Sequence, residues 1–211
     1  MLFNNWKENL QPLLERYKNK KHPLAYKNTY QLLIMVILSA RDSDANINKV
    51  TILFFEKYPN MESLSNASVK EVTTYIQSIK NYNNKAKWIF EIASILKTDE
   101  NIPKNLTNLI DLKGIGRKSA NVILRETNQK SEGIIVDLHV IRVAPRIGLT
   151  PKINNGDKIE KKLMNELPYE IWHDIGMSLS FLGREICRPT NPKCTTCPIN
   201  IHCNNYKLNT Q

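Results

Sequence analysis

All four cysteines of this chain fall in one short segment near its C-terminus. Cys187, Cys194, Cys197 and Cys203 are spaced Cys-x6-Cys-x2-Cys-x5-Cys, and the 186 residues before them contain none. Four thiolates this close in sequence can converge on one soft metal centre. Two disulfides are the alternative in an oxidising compartment. The segment Met1–Lys20, however, alternates apolar and charged residues without a signal-peptide core. In a reducing cytosol, clustered cysteines are more often metal ligands than bridges. Structural zinc sites usually pair two short Cys-x-x-Cys knuckles across a longer gap. Here a single short knuckle, Cys194 to Cys197, has its other two ligands strung out singly around it. That spacing favours an iron–sulfur cluster over zinc.

A second group of residues with chemical potential surrounds Leu112-Lys113-Gly114-Ile115-Gly116, between two helical patterns. Gly-x-Gly lets the backbone turn tightly and brings amide N–H groups to the surface without Cβ obstruction. A helix beginning at Arg117 points its free N–H groups and positive dipole end at the same spot. Such a turn can cradle a phosphate whatever the base sequence. Ile115 pins the turn into the core, and Lys113, Arg117 and Lys118 add positive charge. A plain corner between two helices would use the same glycines. Further on, Asp137 follows the apolar run 133–136 and opens a helical pattern, which is the position of an N-cap.

The elements that must position these groups are helical nearly throughout. Strand-like alternation is scarce. The periodicity predicts an amphipathic helix over 2–17 and a central buried helix over 30–40, where nearly every side is apolar. Further helices are expected at 45–57, 68–79, 85–96, 106–111, 117–127, 137–146, 156–167 and 169–182. Ser68 with Glu71 fits a capping box, and 133–136 reads as a buried lead-in rather than a strand. The formal net charge of +10 and a pI of about 9.4 point to a polyanionic partner, with nucleic acid the first candidate. A merely lysine-rich surface would give the same charge. The longest apolar run, 32–38, is seven residues, too short to span a membrane.

At this point a resemblance becomes specific. Leu112-Lys113-Gly114-Ile115-Gly116-Arg117-Lys118-Ser119-Ala120-Asn121-Val122 resembles the helix-hairpin-helix of endonuclease III-type DNA glycosylases. Val136-Asp137-Leu138-His139-Val140-Ile141-Arg142-Val143 resembles the signature that carries that family's aspartate, and the four-cysteine spacing matches its [4Fe-4S] loop. Leu38-Ser39-Ala40 and Asp44 match a further family segment. The match runs nearly end to end, at a length typical of bacterial members. It implies an all-α fold in which two helical domains flank a DNA-binding cleft. A helical barrel with the hairpin would cover 23–134, and 1–22 with 135–211 would form the [4Fe-4S] cluster domain. The activity implied is that of a bifunctional DNA glycosylase and AP lyase in base excision repair. Its substrate would be double-stranded DNA containing abasic sites or damaged bases such as oxidised pyrimidines. A monomer in the bacterial cytoplasm at the nucleoid, with no membrane attachment, fits this work.

The resemblance also implies roles. Lys118 would be the nucleophile: a neutral amine attacks C1′, expels the base and leaves a Schiff base, and β-elimination then cuts the strand. A free lysine is protonated at neutral pH. The helix dipole and the charges of Lys113 and Arg117 would lower its pKa. Asp137 would stabilise positive charge developing on the sugar. Among DNA contacts, Gly114, Ile115 and Gly116 would present the hairpin, Arg142 would meet phosphate, and His139 would contact DNA or pack. Because the base must leave the helix, Arg41 and Asn81 would fill the gap. Position 41 is usually Gln in the family and position 81 usually apolar. Leu138 replaces Thr, and Lys113 replaces Pro. The cluster would pin the loop 188–193, leaving Arg188 and Lys193 to meet phosphates. A monofunctional mismatch glycosylase and a non-catalytic iron–sulfur DNA-binding module are the alternatives.

Overall fold

The computed structural model describes residues 5–210 of the chain. Its described residues are helical, without a strand. The α-helices are α1 (Trp6–Tyr17), α2 (Thr29–Leu38), α3 (Asp44–Lys57), α4 (Met61–Ser65), α5 (Val69–Ile76), α6 (Tyr82–Leu96), α7 (Leu106–Ile110), α8 (Arg117–Glu126), α9 (Leu138–Ile147), α10 (Gly156–Glu166), α11 (Trp172–Glu185) and α12 (Asn204–Thr210). Residues 2–4 of the first expected helix lie outside the described residues. Among those described, no helix is long and apolar enough to cross a membrane. The chain divides into two compact units, one of Lys21–Lys130 and one of Met1–Lys20 with Ser131–Gln211.

In the Lys21–Lys130 unit, α2 is the central helix that its uniform apolarity predicts. Tyr30 and every residue from Leu32 to Leu38 are buried, and α3, α6 and α8 pack around it. Polar side chains set the helix starts. Asn28 caps α2, Ser43 caps α3, and Asn60 caps α4, a short helix that the periodicity did not indicate. Ser68 and Glu71 form the expected reciprocal capping box on α5. Helix α6 starts at Tyr82, three residues earlier than its pattern suggests. Asn81 turns the chain into it with a left-handed φ of 60° and no side-chain cap, so no capping signature marks the boundary.

In the other unit, α11 is the organising helix. It packs against α1 and α9, and its residues from Ile175 to Gly183 are all buried. It begins only after a 3-10 turn at Tyr169–Ile171 and runs to Glu185, past the expected end at 182. Residues 134–136 are buried and belong to no helix, the expected lead-in to Asp137. Helix α9 tolerates Pro145 near its end and stops at Gly148. That glycine takes φ 96° while its N–H closes the last turn.

Candidate active site and metal centre

The hairpin is built around one aromatic side chain. Leu112 and Ile115 are buried, and the Ile115 N–H donates to the Leu112 carbonyl at 3.1 Å. Gly114 takes φ 83°, and a Cβ there would lie 2.7 Å from Trp88 Cε3. Glycine is therefore required twice over, for the backbone angle and for the close approach to the indole. Beyond Gly116, which has nothing within 4 Å of where its Cβ would stand, α8 begins at Arg117 as expected. Its first turn carries no acidic residue, and the Lys118 side chain is exposed there. Lys113 Nζ pairs with Glu91 of α6 at 2.8 Å.

Sequence reasoning passed over His22, which belongs to the same unit. Its Nδ1 accepts the Leu24 N–H at 3.1 Å. Burial holds the imidazole down at about 4; Glu126 opposes that shift, and the charge of Lys118 adds to it. It is a neutral ring within electrostatic reach of the lysine. Arg41 and Asn81 are both exposed, in left-handed turns with φ 62° and 60°.

Asp137 sits in the second unit as the N-cap of α9. One carboxylate oxygen accepts from the N–H groups of His139 and Val140, each at 2.9 Å. The other accepts from the Ser180 hydroxyl at 2.6 Å. Ser180 is fully buried on α11, between Gly176 and Gly183 at the spacing of one helix face. A Cβ on Gly176 would come within 2.5 Å of the Ile135 carbonyl oxygen, and one on Gly183 within 2.8 Å of His139 Cβ. This small-residue face lets residues 135–139 lie directly on α11 and so fixes where Asp137 points. The signal was present in the sequence as small residues at 176, 180 and 183, but what packs on them was not.

Arg142, expected at a phosphate, turns toward the protein. It donates to the carbonyls of Cys187 at 3.2 Å and Gly183 at 2.9 Å, and its Nη2 lies 3.2 Å from His139 Nδ1. Arg146, which the sequence reading did not single out, grips the next loop. It donates to the carbonyls of Arg188 at 2.7 Å and Pro189 at 3.1 Å, and approaches Cys187 Sγ at 3.7 Å. A basic residue in the last turn of a helix was the available signal. The side chains of Arg188 and Lys193 are exposed at either end of this loop, which turns at Asn191 with φ 48°.

Cys187, Cys194, Cys197 and Cys203 are free thiols, not disulfides, and all four line one small cavity with Ile147, Leu182, Ile186 and Pro192. Burial pushes the Cys197 thiol up to about 11, and burial followed by crowding from Cys187 raises Cys194. Thiols in this setting ionise when a cation is bound among them. Among the described residues, no group of three or more His, Cys, Asp or Glu side chains forms a site for a single metal ion. The donor set around the cavity, four sulfurs in an apolar wall, suits a larger soft centre.

Residues 34–169 match the model of the HhH-GPD superfamily of base excision DNA repair proteins. The chain belongs to this superfamily. Full-length likeness places it with the endonuclease III members. It is 39% identical over 199 residues to endonuclease III of Rickettsia prowazekii, covering 92% of each chain. It is 34% identical over 192 residues to that of Thermotoga maritima, covering 89% of each. Among solved structures, a trapped endonuclease III–DNA covalent intermediate superposes with a TM-score of 0.85 at 32% identity, covering 97% of both chains. The superfamily segment contains Arg41, Asn81, Lys118 and Asp137 and ends before the four cysteines.

Proposed function

We propose that this endonuclease III-type chain is a bifunctional DNA glycosylase and AP lyase acting on duplex DNA with oxidised pyrimidines or abasic sites. The observation that carries the reading is the hairpin. Its glycine turn is seated on Trp88 and leads directly into α8, with Lys118 in the first helical turn. Amide groups at such a turn can bind a phosphate without reading sequence, and the amine would then lie beside a sugar.

In the reaction, the neutral Lys118 amine attacks C1′ of the damaged nucleoside and the base leaves with a proton. The C1′–O4′ bond then opens, with a proton from water going to O4′, and the iminium so formed acidifies C2′; loss of that C2′ proton expels the 3′-phosphate and cuts the strand, and hydrolysis of the imine frees Lys118. Asp137, oriented by two N–H groups and the Ser180 hydroxyl, stabilises positive charge on the sugar as the base departs. Arg41 and Asn81 fill the space the base vacates. Arg117, Lys113, Arg188 and Lys193 contribute to backbone affinity. Cys187, Cys194, Cys197 and Cys203 would hold a [4Fe-4S] cluster, whose contribution when bound is to fix both ends of the 188–193 loop. The protein would act as a monomer at the bacterial nucleoid.

Incision of a 5′-labelled duplex with one thymine glycol tests the activity. The reading requires a strand cut at the lesion bearing the unsaturated aldehyde left by β-elimination. Base release without a cut identifies a monofunctional glycosylase, and binding without base release identifies a non-catalytic module.

A further inference from the structure

Helix α6 carries on one face a stripe of residues, of which Lys85 has no part in the proposed chemistry. Asn81 stands at its start, followed by Lys85, Trp88 and Glu91 at the spacing of a single stripe. Each reaches a different part of the Lys21–Lys130 unit. Lys85 is 1% exposed, and its ammonium donates to the carbonyls of Leu38 and Ala40, both at 2.7 Å. Those carbonyls end α2 and lead into Arg41. Burying an ammonium is costly unless it is fully hydrogen-bonded, so this lysine is held for what it ties together. Trp88 lies under Gly114 of the hairpin, and Glu91 pairs with Lys113.

Asp42 makes a second tie. One carboxylate oxygen accepts from the Ser43 N–H at 2.8 Å and Asn46 Nδ2 at 3.0 Å. The other accepts from the Lys80 N–H at 2.8 Å. Lys80 immediately precedes Asn81, so the two left-handed turns are joined through Asp42 on one side and Lys85 on the other. A left-handed conformation is strained for arginine, though not for asparagine, and persists where the surroundings over-determine it. Here two exposed side chains, Arg41 and Asn81, are both displayed from such positions.

We propose that Asp42 and Lys85 are positioning residues for duplex reading, bracing the Arg41 and Asn81 turns into one preset element at a fixed spacing from the phosphate-gripping hairpin. The inference rests on the glycosylase reading above and adds a division of labour to it. Recognition of a lesion within paired DNA depends on the brace, whereas the amine chemistry of Lys118 does not.

The test compares two substrates under single-turnover conditions: a duplex containing thymine glycol, and a single-stranded oligonucleotide containing an abasic site. Asp42→Asn puts an amide donor opposite a backbone N–H and, being near the surface, leaves the core untouched. Lys85→Met removes the ammonium at similar volume. Excision from the duplex is expected to fall by about 10-fold or more in each, the effect of losing at least one charge-assisted hydrogen bond, while cleavage of the single strand stays within about twofold. Equal loss on both substrates, or no loss on either, overturns the brace while leaving the glycosylase reading standing. A wild-type protein inactive on both substrates overturns the glycosylase reading and the brace with it.

Discussion

Replacing Gly176 by alanine should displace Asp137 without touching it. The new Cβ would stand 2.5 Å from the Ile135 carbonyl oxygen and 2.8 Å from its nitrogen, where ordinary contact begins at 3.4 Å. Both atoms are backbone, in a close-packed interior, so residues 134–136 must retreat from α11 by about 0.9 Å. Ile135 is two residues from Asp137, and the Ser180 bond that orients the carboxylate comes from the same helix, one turn from the substitution. Overpacking of this kind costs ~1–3 kcal/mol of stability, which leaves a folded protein to assay. A misplacement near 1 Å in a catalytic group costs ~100-fold in rate. Single-turnover excision of thymine glycol should therefore fall by about 100-fold. Borohydride trapping on a preformed abasic site, which needs Lys118 of the other unit, should stay within about threefold. Circular dichroism confirms that the variant is folded. Wild-type excision by folded Gly176→Ala would refute the argument that this glycine sets the position of Asp137.

Two further outcomes follow from the site. Burial holds His22 at about 4 against an ordinary 6.5, in the field of Glu126, Lys118, Asp44 and Arg125. Between those values the unfolded chain binds more protons, so the stability contributed by the neutral ring is present above 6.5 and lost as pH falls toward 4. Urea unfolding should show a loss of about 2 kcal/mol between pH 7 and pH 5 that is absent in His22→Gln; an equal loss in both proteins would contradict the assignment. Arg146→Ala removes the donors that hold the carbonyls of Arg188 and Pro189. Affinity for undamaged duplex should weaken by about 10-fold in a fluorescence titration, and unchanged affinity would detach the 188–193 loop from DNA binding.

What was legible in the sequence was whatever is decided locally. The helix start at Arg117 follows from the glycine turn before it, and the Ser68–Glu71 capping box and the Asp137 cap are each set within a few residues. Partners far along the chain were not legible. Ser180 in an apolar helix looks like any small core residue until residues 135–139 are laid on it, 43 positions away from Asp137. Lys85 looks like an ordinary solvent-facing helix lysine, and only the tertiary fold turns it onto the carbonyls of Leu38 and Ala40. The family resemblance gave Arg142 a phosphate, and no local pattern showed that Gly183, 41 positions on, leaves room for its side chain to donate to the Gly183 carbonyl. The start of α6 was missed because it begins with a left-handed asparagine rather than a capping side chain.

The central claim is that Lys118 forms a covalent Schiff base with the sugar of a damaged nucleotide. Borohydride trapping tests it most directly, on one duplex with an abasic site and one with thymine glycol, using wild type and Lys118→Ala. A covalent adduct is expected on both duplexes with wild type and none with the variant. An adduct that survives Lys118→Ala, or no adduct with wild type on either duplex, would contradict it.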